Sequence, residues 1–115
     1  MKLKNIFNIG LITLPISLVS STDNKYKEVW NETRACADKY KISKIFDSLS
    51  FDSVNFHTVP DSMMARVCGA NGPGCFRKTT RSVYIRKNEP ESTLRHEVLH
   101  ANGYAHGVPP FGVCD

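Results

Sequence analysis

Three histidines and a glutamate stand at a spacing that can hold and use a metal ion. Residues 96–106 read His96-Glu97-Val98-Leu99-His100-Ala101-Asn102-Gly103-Tyr104-Ala105-His106. On a helix, His96 and His100 are i and i+4, so both imidazoles leave one face and can grip one ion. Glu97 comes one residue on, beside that face and close to any water the ion carries. Gly103 can take a left-handed backbone conformation, end the helix and let the chain turn His106 back to the same ion. Three neutral imidazoles and one water make a catalytic zinc shell with an open position. An amphipathic core helix with histidines on its polar face would not require this spacing, yet three of the chain's 4 histidines fall within these eleven residues.

The run resembles the extended zinc signature of the metzincin metallopeptidases, the clan of matrixins and astacins. The resemblance covers residues 96–106 and little else. It implies His96, His100 and His106 as ligands of one catalytic Zn2+, with Glu97 as general base. The clan also places a methionine-containing turn beneath the metal, after the third histidine. Here residues 107–115 read Gly-Val-Pro-Pro-Phe-Gly-Val-Cys-Asp, and Met1, Met63 and Met64 all lie upstream. The floor under the metal would have to come from residues 108–113, or be absent. The fold implied is a small α+β, zincin-like domain: an N-terminal helix, a short mixed sheet with two helices on one face, and a C-terminal active-site helix. A strand preceding Val83 and Ile85 would form the cleft edge, where an extended substrate adds as a further strand. Residues 63–68 are the candidate for that strand.

These elements follow a leader. Lys2 and Lys4 precede a run over residues 9–19 that is apolar except for Thr13, Pro15 and Ser17, and Val19-Ser20-Ser21 offers a cleavage site. Residues 1–21 read as a secretory signal peptide, since a membrane span needs ~20 apolar residues. The expected domain is 22–115, secreted or periplasmic, with no membrane contact once the signal is removed. The whole chain carries +4. Two of those charges are Lys2 and Lys4, so the remaining +2 falls short of a nucleic-acid footprint.

Cys36, Cys68, Cys75 and Cys114 are an even count in a small exported chain, which points to two disulfides. Four cysteines allow three pairings. The favoured one is Cys68–Cys75, closing a turn-rich loop, with Cys36–Cys114 tying the first helix to the tail behind the metal site. A cysteine-bound zinc is the alternative, but no C-x-x-C pair exists for it.

Along the chain, residues 22–41 read as a helix capped by Asp23 or Asn24, with Tyr26, Val29, Trp30, Thr33, Cys36, Ala37 and Tyr40 on its core stripe. Ile42, Ile45, Phe46 and Leu49 repeat at i, i+3, i+4 and i+7 and predict a second helical stretch with Ser43 as its cap. Residues 51–59 alternate as a strand, with Val54, Phe56 and Thr58 on one face and Asn55 and His57 on the other; His57 reads as an ordinary strand residue. Residues 63–68 read as a short strand, 69–74 as a loop, and 76–80 and 82–87 as two extended pieces. Arg77, Lys78, Arg81, Arg86 and Lys87 either keep sheet edges from pairing or attract acidic substrates. Asn88 and Glu91 predict a capping box for the last helix, with Pro90 tolerated in its first turn.

Taken together, these features predict a secreted zinc endopeptidase, a monomer acting on peptide or protein substrates. A non-catalytic zinc-stabilised binding domain and a zinc amidase acting on cell-wall peptides need the same ligands.

Overall fold

The computed structural model describes residues 14–115, which form an α+β arrangement of three helices and a three-stranded mixed sheet held by two disulfides. The leader expected over residues 1–21 lies mostly outside the described residues, because 1–13 precede them. The first described element is α1 (Leu14–Ala37). Neither Asp23 nor Asn24 begins a helix. The backbone is helical through both, and no Gly or Pro interrupts residues 16–37. No helix among the described residues is long and apolar enough to cross a membrane.

The core stripe of α1 is where its spacing puts it. Val29, Trp30, Thr33 and Ala37 are buried. Trp30 meets Phe51 and Phe56 edge-on at 5.9 and 6.2 Å, and Tyr26 stacks on Phe56 at 4.8 Å. These are geometries that add to simple burial.

After a 3-10 turn (Asp38–Ser43), the second helix expected over residues 42–49 does not form. Instead this segment runs extended beside the end of the last helix, which carries His96 and His100. Lys44 bridges antiparallel to Tyr104, Ile45 N–H donates to the Gly103 carbonyl at 2.7 Å, and Leu49 N–H donates to the Ala101 carbonyl at 3.2 Å. A helix end leaves carbonyls without intrahelical partners, and these tertiary bonds outweigh the weak local preference of 42–49. The apolar residues here divide accordingly. Leu49 packs on the core, whereas Ile42 and Ile45 are 98% and 69% exposed.

The sheet has strands β1 (Asn55–Val59), β2 (Gly74–Arg77) and β3 (Ser82–Arg86) in the order β1-β3-β2. β1 runs parallel to β3, with Phe56 opposite Val83, and β2 pairs antiparallel with β3, with Phe76 opposite Val83. Phe56, Val83, Phe76 and Ile85 share the face covered by α1 and the last helix. His57 and Tyr84 stack on the other face at 4.9 Å.

Residues 63–68 are not a strand. They lie in α2 (Asp61–Cys68), which packs against β2 and β3 with Met64 fully buried. Asp61 favours the first turn, Met-Met-Ala-Arg is a run of strong helix formers, and Gly69 ends the helix in the left-handed conformation at φ 75°. The Cys68–Cys75 disulfide fastens the end of α2 to β2, and Cys36–Cys114 fastens α1 to the tail, as the sequence predicts. Arg77 donates to the Val67 carbonyl at 3.3 Å and Arg86 to that of Asn71 at 2.9 Å. Part of the basic region therefore anchors α2 and the following loop.

The last helix, α3 (Glu91–Ala101), begins without the predicted capping box. Asn88 sits at φ 69° in a turn, Pro90 occupies the cap, and Glu91 faces Lys25 and Arg95 instead. Proline fixes the extended entry that a cap residue needs, so no side chain has to supply it. Leu94, Val98 and Ala101 pack towards α1 and β3, and Leu99 packs towards Ala37, Tyr104 and Cys114. With its flanks thus buried, α3 presents the remaining face, that of His96 and His100, to a cleft.

Candidate metal centre

The three motif histidines converge. His96 and His100 project from α3, and His106 returns after the turn at Gly103. The Nε2 atom of His106 lies 2.9 Å from Nε2 of both His96 and His100. Among the described residues these three form the cluster able to hold a metal ion. Neither His57 nor any cysteine belongs to it, and all four cysteines are in disulfides.

The turn that brings His106 back depends on one glycine. Gly103 has φ 93°, and a Cβ there would stand 2.0 Å from the Phe46 carbonyl oxygen. The 44–49 segment can lie against the end of α3 only because that side chain is missing. Asn102 is buried, and its Nδ2 donates to the Val98 carbonyl at 2.9 Å. The Tyr104 hydroxyl points away from the histidines and donates to the Ala37 carbonyl at 2.9 Å. It is a buried strut between the motif turn and the end of α1.

The donor set fits a metal ion. Tetrahedral coordination at 2.0–2.1 Å per nitrogen separates ligands by about 3.3 Å, close to the two short contacts observed. Those contacts are poorly matched as hydrogen bonds. His106 Nε2 carries either one proton or one lone pair, and so cannot be well paired with two neighbours at once. A shared cation removes the conflict. Burial, then the neighbouring His106 and His96, push the His100 imidazole down to about 4, against a hydrogen bond to the Tyr104 backbone. A ligand imidazole must be neutral, and this environment favours that form.

Glu97 is 5% exposed and lines the same cleft as the histidines. Burial pushes its carboxyl up to about 7, opposed by His96. The cleft measures about 820 Å³ and runs between two walls. Gly74, Cys75 and Phe76 of β2 form one, and Ile45 and Phe46 of the extended segment form the other, with Lys78 Nζ 4.1 Å from the centre of the Phe46 ring. The cleft edge is therefore the sheet-edge strand β2. The candidate at residues 63–68 is helical and lies behind the sheet.

Two residues beyond the motif complete the centre. The Phe111 ring lies under all three imidazoles, with centroids 4.7 Å from His96, 4.7 Å from His100 and 5.1 Å from His106. Phe111 belongs to the stretch 108–113 from which the sequence expects a floor. Asp115 Oδ2 accepts a hydrogen bond from His96 Nδ1 at 2.8 Å, and its Oδ1 accepts from the Gly112 amide at 2.7 Å. Burial raises the Asp115 carboxyl, but the hydrogen bonds from His96 and Gly112 outweigh it and hold the group below its usual range. The tail that carries both residues is fixed by buried Pro110 and by Cys114. One sequence signal for these partners was the expected Cys36–Cys114 bridge, which placed the tail behind the histidines without saying which tail residues would touch them. No protein-family model matches the chain, no curated protein matches it, and no solved structure matches it.

Proposed function

We propose that the chain is a zinc-dependent endopeptidase. The observation that carries this reading is the convergence of three imidazole Nε2 atoms beside a buried carboxylate, at the floor of an open cleft. A structural zinc site is closed by a fourth protein ligand, whereas the cluster among the described residues offers three, the number that leaves a position for water or substrate. The similarity of residues 96–106 to the metzincin signature supports the same choice of metal and reaction.

Zinc bound there would supply an acidified water and polarise the carbonyl of the bond to be cut. The rest falls to the chain's own groups. Glu97 accepts a proton from the attacking water and returns it to the nitrogen of the departing amine. The free edge of β2 offers backbone donors and acceptors to an extended peptide, which would lie antiparallel or parallel to it between Phe76 and Phe46. Neither a serine nor a cysteine nucleophile is required. Two disulfides and a leader-like start to the sequence support export to an oxidising compartment.

The test is incubation of the oxidised, zinc-loaded chain with an unfolded protein, alongside Glu97→Ala, with fragments read by mass spectrometry. The proposal expects new fragments from the parent alone while the variant keeps its zinc. Equal fragmentation by both, or none by either with zinc bound, would remove the peptidase reading.

A further inference from the structure

We infer that Asp115 is a positioning residue of the metal centre, which locks His96 as the ligand of fixed tautomer and orientation. The inference rests on the metal-binding part of the proposed function and not on peptide hydrolysis.

A carboxylate can only accept, so the 2.8 Å contact places the ring proton of His96 on Nδ1 and leaves the Nε2 lone pair facing the other two histidines. A neutral imidazole has two tautomers, and only the one protonated at Nδ1 can ligate through Nε2. The hydrogen bond made by the distal nitrogen decides between them. A carboxylate in that role also raises the basicity of the ligand.

The carboxylate is itself held in place. Its second oxygen takes the Gly112 amide at 2.7 Å. The Val113 and Cys114 amides donate to the Pro110 carbonyl at 3.0 and 2.9 Å, closing the turn around it. Pro110 is fully buried and Cys114 is bonded to Cys36 of α1. One oxygen is therefore fixed by the tail, and the other is aimed at the ring. Asp115 reaches the cleft lining, so its negative charge would also lie close to a cation held by the three histidines.

A purely structural role, fastening the tail through Gly112, is the competing account, and Asp115→Asn separates the two. Asparagine retains an oxygen for the Gly112 amide but removes the charge that faces His96. The experiment measures zinc affinity by chelator competition on the full oxidised chain, for the parent, Asp115→Asn, Asp115→Ala and His100→Ala. It also reads the His96 ring tautomer by nitrogen NMR in the metal-free protein. The expected result is a loss of affinity of about 10–100-fold in both Asp115 variants. The His96 ring should be protonated at Nδ1 in the parent and be a mixture of tautomers in Asp115→Ala. Zinc binding weakened in His100→Ala but parent-like in Asp115→Asn, whatever Asp115→Ala does, would overturn the inference and leave the metal centre standing. A parent ring protonated at Nε2 would also overturn it. Failure of the parent to bind zinc at all would overturn both this inference and the reading beneath it.

Discussion

The two disulfides differ in what they should do to stability and to the metal, and the difference can be calculated. Cys36–Cys114 spans a sequence separation of 78 and Cys68–Cys75 a separation of 7. On the chain-entropy account, removing the long bridge costs about 4.5 kcal/mol and removing the short one about 2.5 kcal/mol. Domains of this size are stable by only about 5–15 kcal/mol in total. The pair Cys36→Ser/Cys114→Ser should therefore melt roughly 8–16 °C below Cys68→Ser/Cys75→Ser, at about 4–8 °C per kcal/mol. The metal should separate them further. Cys114 lies between Phe111 and Asp115, so releasing it loosens the floor under the three imidazoles and the carboxylate on His96. Cys68 and Cys75 join α2 to β2, and neither belongs to the tail that carries Phe111 and Asp115. Zinc affinity should fall in the first pair and stay within about twofold of the parent in the second, by the additivity expected of separate sites. Circular dichroism melts and chelator competition measure the two quantities on the same samples. Equal melting temperatures, or equal zinc affinities in the two pairs, would refute the reasoning that the tail is the second half of the metal centre.

Gly103→Ala should be destabilising by about 3 kcal/mol or more: the left-handed conformation alone costs an L-residue about 1–2 kcal/mol, and the new Cβ would stand 2.0 Å from the Phe46 carbonyl oxygen; urea denaturation would show it. Phe111→Ala should cost about 2–3 kcal/mol, less than the ~3–5 of a fully buried phenylalanine because the ring is half-buried, and zinc affinity should fall with it, whereas Phe111→Leu should keep most of both. In the metal-free protein two groups oppose each other with pH. The depressed His100 contributes stability that is fully present above about 6.5 and is lost as pH falls towards about 4. The raised Glu97 contributes stability that is present below about 4.5 and lost as pH rises through about 7. Melting temperature should thus change little between these limits in the parent, and Glu97→Gln should uncover a steady decline on acidification. A parent-like flat profile in that variant would contradict the assignment.

The parts of the centre that were legible in the sequence are those encoded by local spacing. His96 and His100 at i and i+4 need only a helix, and Gly103 followed by His106 needs only a turn that glycine permits. Both cysteine pairs followed from loop length and from the tail's place behind the helix. Residues 42–49 carry an apolar spacing that imitates a helix. Their backbone groups instead bond to the end of α3, 52–58 positions away, and no local pattern announces that. Residues 63–68 show the opposite case: a short apolar run imitates a strand, although Asp61 and Gly69 bracket it as helix termini. At Asn88 a residue type favoured at caps instead occupies a positive φ. Phe111 and Asp115 act only through tertiary contact, and one aromatic and one acid in a short tail carry no spacing of their own.

The position of Phe111 against the three imidazoles has a physical logic. A floor beneath three imidazoles that could hold an ion need not coordinate it. What it must do is exclude water from the back of the rings and stop them from tilting out of register. A thioether does this with a flexible, polarisable chain. A phenyl ring does it with a rigid plane, within aromatic contact distance of all three imidazoles at once, at 4.7, 4.7 and 5.1 Å. A rigid floor in turn needs a rigid support, because a tilted phenyl plane would displace every ligand together. The tail supplies that support through buried Pro110, the hydrogen bonds to its carbonyl, and the disulfide from Cys114 to α1. The same short segment thus acts twice, with Phe111 against the rings and Asp115 at the edge of one of them. The economy has a consequence for mutation. Changes in this tail should act on stability and metal affinity together, while changes across the cleft, at Ile45 or Lys78, should leave both largely untouched.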